Sequence, residues 1–245
     1  MRRIVLVNPK GGSGKTTIAT NLAAYYAAAG RRVTMLDQDA QSSTSRWLSK
    51  RPDAAPHIHG IDTFKDHVGV TRSFATRIPP DAEIVVVDTA AALATHELTD
   101  AVSQADKILL PVLPSDIDIH AAARCIADLL IRAKVQRSDN RLAIIANRVK
   151  RNTIVFHSLM RFLDALEIPV AAVLRDSQNY IRSAESGLGV HELKTRKIKR
   201  EIEQWSPIID WLEHGTIRPI SSWTRQPAKV TVLDPLRKLN IVRRD

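Results

Sequence analysis

Two lysines, Lys10 and Lys15, bracket a cluster of glycines in the stretch VNPKGGSGKTT, Val7 to Thr17. Glycines at that density expose backbone N–H groups, a lysine supplies a fixed cation, and a hydroxyl directly after the second lysine can bind a divalent ion. Together these are the parts of a phosphate-binding loop. In the ordinary form of such a loop, Lys15 reaches the outer phosphates of a nucleotide and Thr16 holds Mg²⁺, while Gly11, Gly12, Ser13, Gly14 and Thr17 complete the cradle. A glycine-rich turn that merely packs a helix on a strand is the alternative, and the succession of apolar strand, loop, Lys-Thr and helix argues against it. One lysine suffices for that task, so Lys10 needs its own explanation. Where the ordinary motif has Gly, this loop has Pro9 followed by Lys10.

The elements that would hold the loop can be read from hydropathy. Apolar runs of strand length occur at Arg3–Val7, Val33–Leu36, Ile84–Val87, Ile108–Val112, Leu142–Ala146 and Val170–Leu174. Helix-like stretches occupy Lys15–Ala29, His120–Lys134, Val155–Leu166 and Thr195–Glu213, the first running from the glycine loop to Gly30. Continuous apolar strands separated by helices predict an α/β fold: a single doubly wound, mostly parallel sheet with helices on both faces. Asp37 and Asp39 follow one such strand, where an open α/β sheet places its active groups, and Asp88 stands at the end of another. The chain of 245 residues can bury one sizeable core. After Gly215 the alternation is lost and Pro, Ser and Arg accumulate, which divides the chain into a body at 1–215 and a basic C-terminal tail at 216–245. Cys125, in an apolar helix-like run, reads as a buried thiol in a reducing compartment. No run is long enough to span a bilayer and no N-terminal stretch has the form of a secretion signal, so a cytoplasmic protein is expected.

The wording KGGSGKTT, with its early lysine, resembles the deviant Walker A box of the ParA/MinD family of dimeric ATPases. The resemblance implies ATP and ADP as ligands, Mg²⁺ as cofactor, and a homodimer formed with ATP in which Lys10 touches the phosphates on the partner subunit. Two anionic nucleotides trapped between subunits need extra fixed cations, so such a role is physically sound. A solvated loop charge is the plain alternative for Lys10. Further stretches extend the resemblance over most of residues 1–215. MLDQDAQSS is similar to the family's second box, which assigns Asp37 to the Mg²⁺ water shell and Asp39 to the attacking water. Capping of the next helix is the alternative for Asp39. IVVVDTAA is similar to Walker B, with Asp88 binding Mg²⁺ through water, although Ala90 and Ala91 stand where relatives have prolines. Asn147, in IIANRV, corresponds to a side chain on the adenine edge, which its donor and acceptor would suit. LRDSQNYIRSAESGLGVHEL resembles the compact plasmid and cargo partition ATPases of the ParF type. That places Arg175, Gln178 and Tyr180 at the border of the nucleotide or the dimer interface, with helix packing the alternative for Tyr180. Such compact proteins lack an operator-binding domain, and autorepression by specific DNA binding is not expected.

A formal net charge of +10 points to polyanionic partners. Lys194, Arg196, Lys197, Lys199 and Arg200 crowd ELKTRKIKRE at the start of a predicted helix, a patch suited to phosphate backbones without sequence readout. Arg148, Lys150 and Arg151 are further candidates. The resemblance implies that the ATP-bound dimer holds nonspecific DNA, and hence a nucleoid-associated location. It also implies a ParB-like centromere-binding protein or cargo adaptor that stimulates hydrolysis. The expected function is a partition or positioning ATPase that segregates a plasmid, a chromosome region or another cargo. Trp205 and Trp211 are spaced for core packing rather than base stacking, and His57 and His59 lack further ligands at metal spacing. In the tail, Leu236, Leu239 and Val242 oppose Arg237, Lys238, Arg243 and Arg244, which suits a rival reading as a MinD-like membrane cycler. Two turns without an aromatic anchor would hold a membrane weakly, so membrane binding is not expected. A small-molecule ligase on the same fold is the rival from another class, and it would not need so basic a surface.

Overall fold

A computed structural model describes residues 1–63 and 77–224. The strands β1 (Arg2–Leu6), β2 (Val33–Gln38), β3 (His59–Asp62), β4 (Ile84–Thr89), β5 (Lys107–Val112), β6 (Leu142–Val149) and β7 (Val170–Arg175) form one seven-stranded sheet in the order β3-β2-β4-β1-β5-β6-β7. Every pairing is parallel. Among the described residues the α-helices are α1 (Lys15–Ala28), α2 (Ser43–Leu48), α3 (Thr95–Ser103), α4 (Asp116–Ala127), α5 (Ile154–Ala165), α6 (Gln178–Glu185), α7 (Lys199–His214) and the short α8 (Ser221–Thr224).

Alternation along β1 explains the layers. Ile4 and Leu6 point to one face, where they join Ile18 and Leu22 of α1 and Trp205, Ile208 and Trp211 of α7. Val5 points to the other face with Val7 just beyond the strand, toward Leu98 and Val102 of α3, Ile126 of α4, and Phe156 and Leu159 of α5. Helices cover both faces, so both sets of strand residues must be apolar, and the strand reads as a continuous run instead of an alternating one. Trp205 and Trp211 are core residues, as their spacing predicts. Cys125 is likewise buried, and burial pushes its thiol up to about 12, far from a reactive thiolate.

Several elements escape the hydropathy reading. β3, HGID, is four residues long and only its second half is buried, too little for a periodic signal. α2, α3 and α6 are short in the same way. α4 starts ahead of the apolar run because Ser115 caps it, its Oγ accepting the Asp118 N–H at 3.2 Å. It ends at Ala127, and the chain continues as a π turn over Asp128–Arg132. α7 begins at Lys199 instead of Thr195, because the Thr195 hydroxyl caps a separate 3-10 turn, Arg196–Ile198. Gly215 closes α7 in the left-handed region at φ 69°, donating its N–H to Trp211 O. The chain does not leave the body there, although the composition shifts. Ile220 and Trp223 cross to the opposite face and pack on the α4–α5 side of the sheet, with Trp223 buried. The amphipathic stretch expected around Leu236–Arg244 lies outside the described residues. No helix among the described residues is long and apolar enough to cross a membrane.

Because all strands are parallel, their C-terminal ends and the starts of the following helices share one rim. The chain leaves β1 toward β2 and leaves β4 toward β5, in opposite directions across the sheet. The ends of β1 and β4 therefore flank its switch point, the place where an open α/β sheet offers a crevice.

Candidate functional site

The glycine loop leaves β1 at this switch point and is tied to the neighbouring strand. Asn8 is buried, donates its Nδ2 to Pro111 O on β5 at 2.5 Å, and accepts the Lys10 N–H on Oδ1 at 2.7 Å. Gly14 precedes α1 at φ 95°, and a Cβ there would lie 2.2 Å from Asn147 Nδ2, so this position requires glycine on both counts. Asn147, at the end of β6, supports the loop from below by donating Nδ2 to Ser13 O at 2.8 Å, while its Oδ1 accepts the Arg148 N–H at 3.0 Å. The amide read from sequence as a base contact is thus engaged with the loop itself. Lys15, the first residue of α1, is 6% exposed and folds back over the loop, 3.2 Å from Asn8 O and 3.4 Å from Lys10 O. Burial lowers the Lys15 pKa, against the pull of the Asp88 and Asp39 charges.

The register between β2 and β4 sets Asp37 directly beside Asp88. Both are buried, but their oxygens have different company. Asp37 accepts the Asp39 N–H at 3.1 Å on Oδ1 and the Ser45 N–H at 3.0 Å on Oδ2, so it is Asp37 that caps α2. Asp39, half-buried, accepts the Gln41 N–H at 2.9 Å in a turn, which removes it from the capping role that was its alternative. Asp88 accepts the Thr44 hydroxyl at 2.9 Å on Oδ2, and its Oδ1 is buried without a hydrogen-bond partner. Burial pushes the Asp88 carboxyl up to about 6, with the Thr16 and Thr44 hydroxyls acting in the opposite direction. An orphaned buried carboxylate oxygen beside a threonine hydroxyl fits a divalent cation or its bound water. No cluster of three or more His, Cys, Asp or Glu among the described residues could hold a metal alone. Asp88 with its orphaned oxygen, Asp37 beside it and a threonine hydroxyl suit Mg²⁺, which takes one or two carboxylates and completes its shell with phosphate and water.

From the loop a cleft of about 1040 Å³ opens along the rim, and Gly11–Thr17, Asp39, Ala91, Asn147, Tyr180 and Trp205 contribute to its walls. Ala90 and Ala91 line it as well. The loop there is held by the Ala92 N–H on Pro9 O at 2.9 Å, with Ala92 in the left-handed region at φ 55°. Tyr180 borders the cleft and also packs, its hydroxyl accepting Trp205 Nε1–H at 2.9 Å. Arg175 is drawn away to Glu201, at 2.5 Å, and Gln178 is exposed on the first turn of α6; neither is among the residues lining the cleft. Lys10 is turned toward Asp118 in the first turn of α4. Sequence reasoning missed Asp118, although the spacing of Ser115 and Asp118 is the signature of a helix start.

The basic run sits at the same rim, beside the cleft wall, because Glu201 in the first turn of α7 bonds both Arg175 and Ser177 Oγ. Lys194, Lys197 and Arg200 are exposed and form no ion pair among the described residues, whereas Lys199 lies 3.9 Å from Glu203. Arg196 belongs to the 3-10 turn between them. Arg148 pairs with Asp176 at 3.3 Å, and Lys150 and Arg151 are exposed in the turn after β6.

Compared with known proteins, residues 4–190 match the CbiA family, described as the CobQ/CobB/MinD/ParA nucleotide binding domain. The chain is similar to Maintenance of carboxysome distribution protein A of Halothiobacillus neapolitanus, with 27% identity over 197 residues that cover 79% of this chain and 88% of that one. Among solved structures it resembles a McdA–ATP complex from Cyanothece, with a TM-score of 0.64, 16% identity, and coverage of 89% of this chain and 98% of that chain. It also resembles the septum site-determining protein MinD with Mg-ADP from Pyrococcus horikoshii, with a TM-score of 0.63, 15% identity, and coverage of 87% and 96%. Likeness at these identities speaks to the fold.

Proposed function

The chain belongs to the CbiA family, the CobQ/CobB/MinD/ParA nucleotide binding domain, and from that premise we propose that it is an ATPase that dimerises on ATP, binds nonspecific DNA in that state, and segregates or positions a cargo through an adaptor protein. The observation that carries this reading is the placement of Lys15, at the start of α1, within electrostatic reach of Asp88, whose strand neighbour is the buried Asp37, at the sheet's switch point. ATP phosphates would lie on the N–H groups of Gly11 to Thr17, with Lys15 exchanging loop carbonyls for phosphate oxygens. Mg²⁺ would neutralise charge developing on the phosphates. Thr16 and Asp88 would hold it, while Asp37, whose oxygens already serve two N–H groups, would reach only its water shell. Lys10 would reach the nucleotide on the partner subunit, and Asp39 would orient the attacking water from the cleft wall. The names of relatives and of a structural neighbour suggest carboxysomes, chromosomes or plasmids as the cargo.

Turnover and DNA binding can be tested separately. Asp39→Ala should bind ATP normally, lower stimulated hydrolysis by about 100-fold or more, and prolong the life of the ATP dimer on DNA, since only turnover is removed. Hydrolysis assays with single-turnover chase would check it, and a wild-type stimulated rate would leave Asp39 as a turn residue for Gln41. For the DNA site, salt titrations of duplex binding with ATP, ADP and no nucleotide are the test. Replacing Arg196, Lys197 and Lys199 with Glu should weaken binding to all sequences alike and flatten the slope of log affinity against log salt by roughly 0.9 for each phosphate that is no longer neutralised. An unchanged slope moves the DNA site elsewhere. A wild-type protein that binds anionic vesicles with ATP and ignores DNA makes the membrane cycler the better reading.

A further inference from the structure

Within a single chain the Lys10 ammonium already has an anion. It lies 3.0 Å from Asp118 Oδ1, with the lysine side chain 35% exposed and the aspartate side chain 6%. The carboxylate is fixed from behind, because Oδ2 accepts the Ser115 hydroxyl and the Asp118 N–H is held by Ser115 Oγ. Oδ1 is buried and has no hydrogen bond of its own, so the ammonium, paired by charge and off the hydrogen-bonding axis, is what offsets it. The Lys10 backbone is pinned as well, through its N–H on Asn8 Oδ1 at 2.7 Å.

We propose that Asp118 is a latch that holds Lys10 in cis, and that ATP-driven dimerisation requires Lys10 to exchange this carboxylate for the phosphates of the nucleotide on the partner subunit. The proposal deepens the function given above and rests on the trans role of Lys10. One ammonium cannot serve a carboxylate at contact distance in its own chain and a phosphate across an interface unless the two anions stand side by side, where they repel. Exchange leaves a buried carboxylate with an uncompensated oxygen, a cost that the incoming phosphate must exceed. ATP carries more charge near the interface than ADP and competes better for Lys10, so the latch makes dimerisation selective for the triphosphate.

The test is Asp118→Asn, which keeps the shape and can still accept from Ser115 while losing the charge, measured by sedimentation with ATP and with ADP. The latch predicts a dimerisation midpoint about 10-fold lower with ATP, measurable dimer with ADP, and unchanged nucleotide affinity of the monomer. The gain should vanish in the Lys10→Ala, Asp118→Asn double variant. Ser115→Ala, which frees the carboxylate without removing it, should shift the midpoint in the same direction by less, and it decides the matter if Asp118→Asn does not fold. Dimerisation of Asp118→Asn equal to or weaker than wild type overturns the latch. If Lys10→Ala itself dimerises like wild type, the trans role fails first and the latch falls with it.

Discussion

Lys15→Ala should abolish nucleotide binding, whereas Lys10→Ala should bind ATP as a monomer and fail to dimerise. The two lysines share a loop but have opposite environments. Lys15 is buried, has a lowered pKa, and rests on loop carbonyls that satisfy its donors without neutralising its charge. A desolvated cation so placed gains strongly from an arriving phosphate, and its loss should cost about 3 kcal/mol or more, above roughly 100-fold in affinity. Lys10 is one-third exposed and paired with Asp118, at the surface of the rim. Its contact belongs to the assembly, and removing each trans ion pair should cost about 2–5 kcal/mol of dimer stability, counted twice in a symmetric dimer. Fluorescent nucleotide titration and sedimentation separate the two effects. Removing Lys10 also strips Asp118 of its countercharge, so thermal unfolding of the nucleotide-free variant must accompany the measurement. A Lys10→Ala protein that is fully dimeric in ATP rules out the trans role.

The second large effect concerns stability. Asp88→Asn should unfold at a higher temperature than wild type at pH 7 without nucleotide, while losing Mg²⁺-dependent hydrolysis. Burial raises the folded pKa of Asp88 from its ordinary value of 3.8 to about 6, so above pH 6 the native state carries a buried charge with an unpartnered oxygen. Between about pH 4 and 6 the native chain holds a proton that the unfolded chain has released, so this group makes stability fall as pH rises through that window. Two pKa units correspond to roughly 3 kcal/mol, or about 6–12 °C in melting temperature for a chain of this size. Glu201 and Glu213 drive the opposite trend: burial pushes their carboxyls up, but hydrogen bonds from Ser177 and Arg175 to the first, and from Tyr26 and Arg2 to the second, bring both pKa values below the ordinary one. The informative quantity is therefore the difference between wild type and variant across pH 4–8. Mg²⁺ with nucleotide should raise the melting temperature of wild type and do little for the variant. If Asp88→Asn melts lower at pH 7 and keeps the wild-type pH profile, Asp88 is a structural carboxylate and not a strained metal ligand.

Features that lie close along the chain were legible before any folding was known. The loop, the Lys15–Thr16 pair at a helix start, and the carboxylates ending apolar runs are contiguous patterns, set by backbone geometry within a few residues. The parallel sheet followed from runs that are apolar at every position, because helices cover both faces. Short elements such as β3 and α2 carry too few periods to register, and ends such as those of α4 and α7 depend on single caps. How the polar groups are shared emerges only in three dimensions. Asp37 caps α2 and leaves Asp88 with the orphaned oxygen because β2 and β4 are neighbours in that register. Asn147 fills the space under Gly14. Asp118 meets Lys10 because β5 lies beside β1 and brings the start of α4 against the loop. Residues far apart in the chain become partners through strand order, and strand order is settled by the burial of two whole core faces at once, which no local pattern encodes.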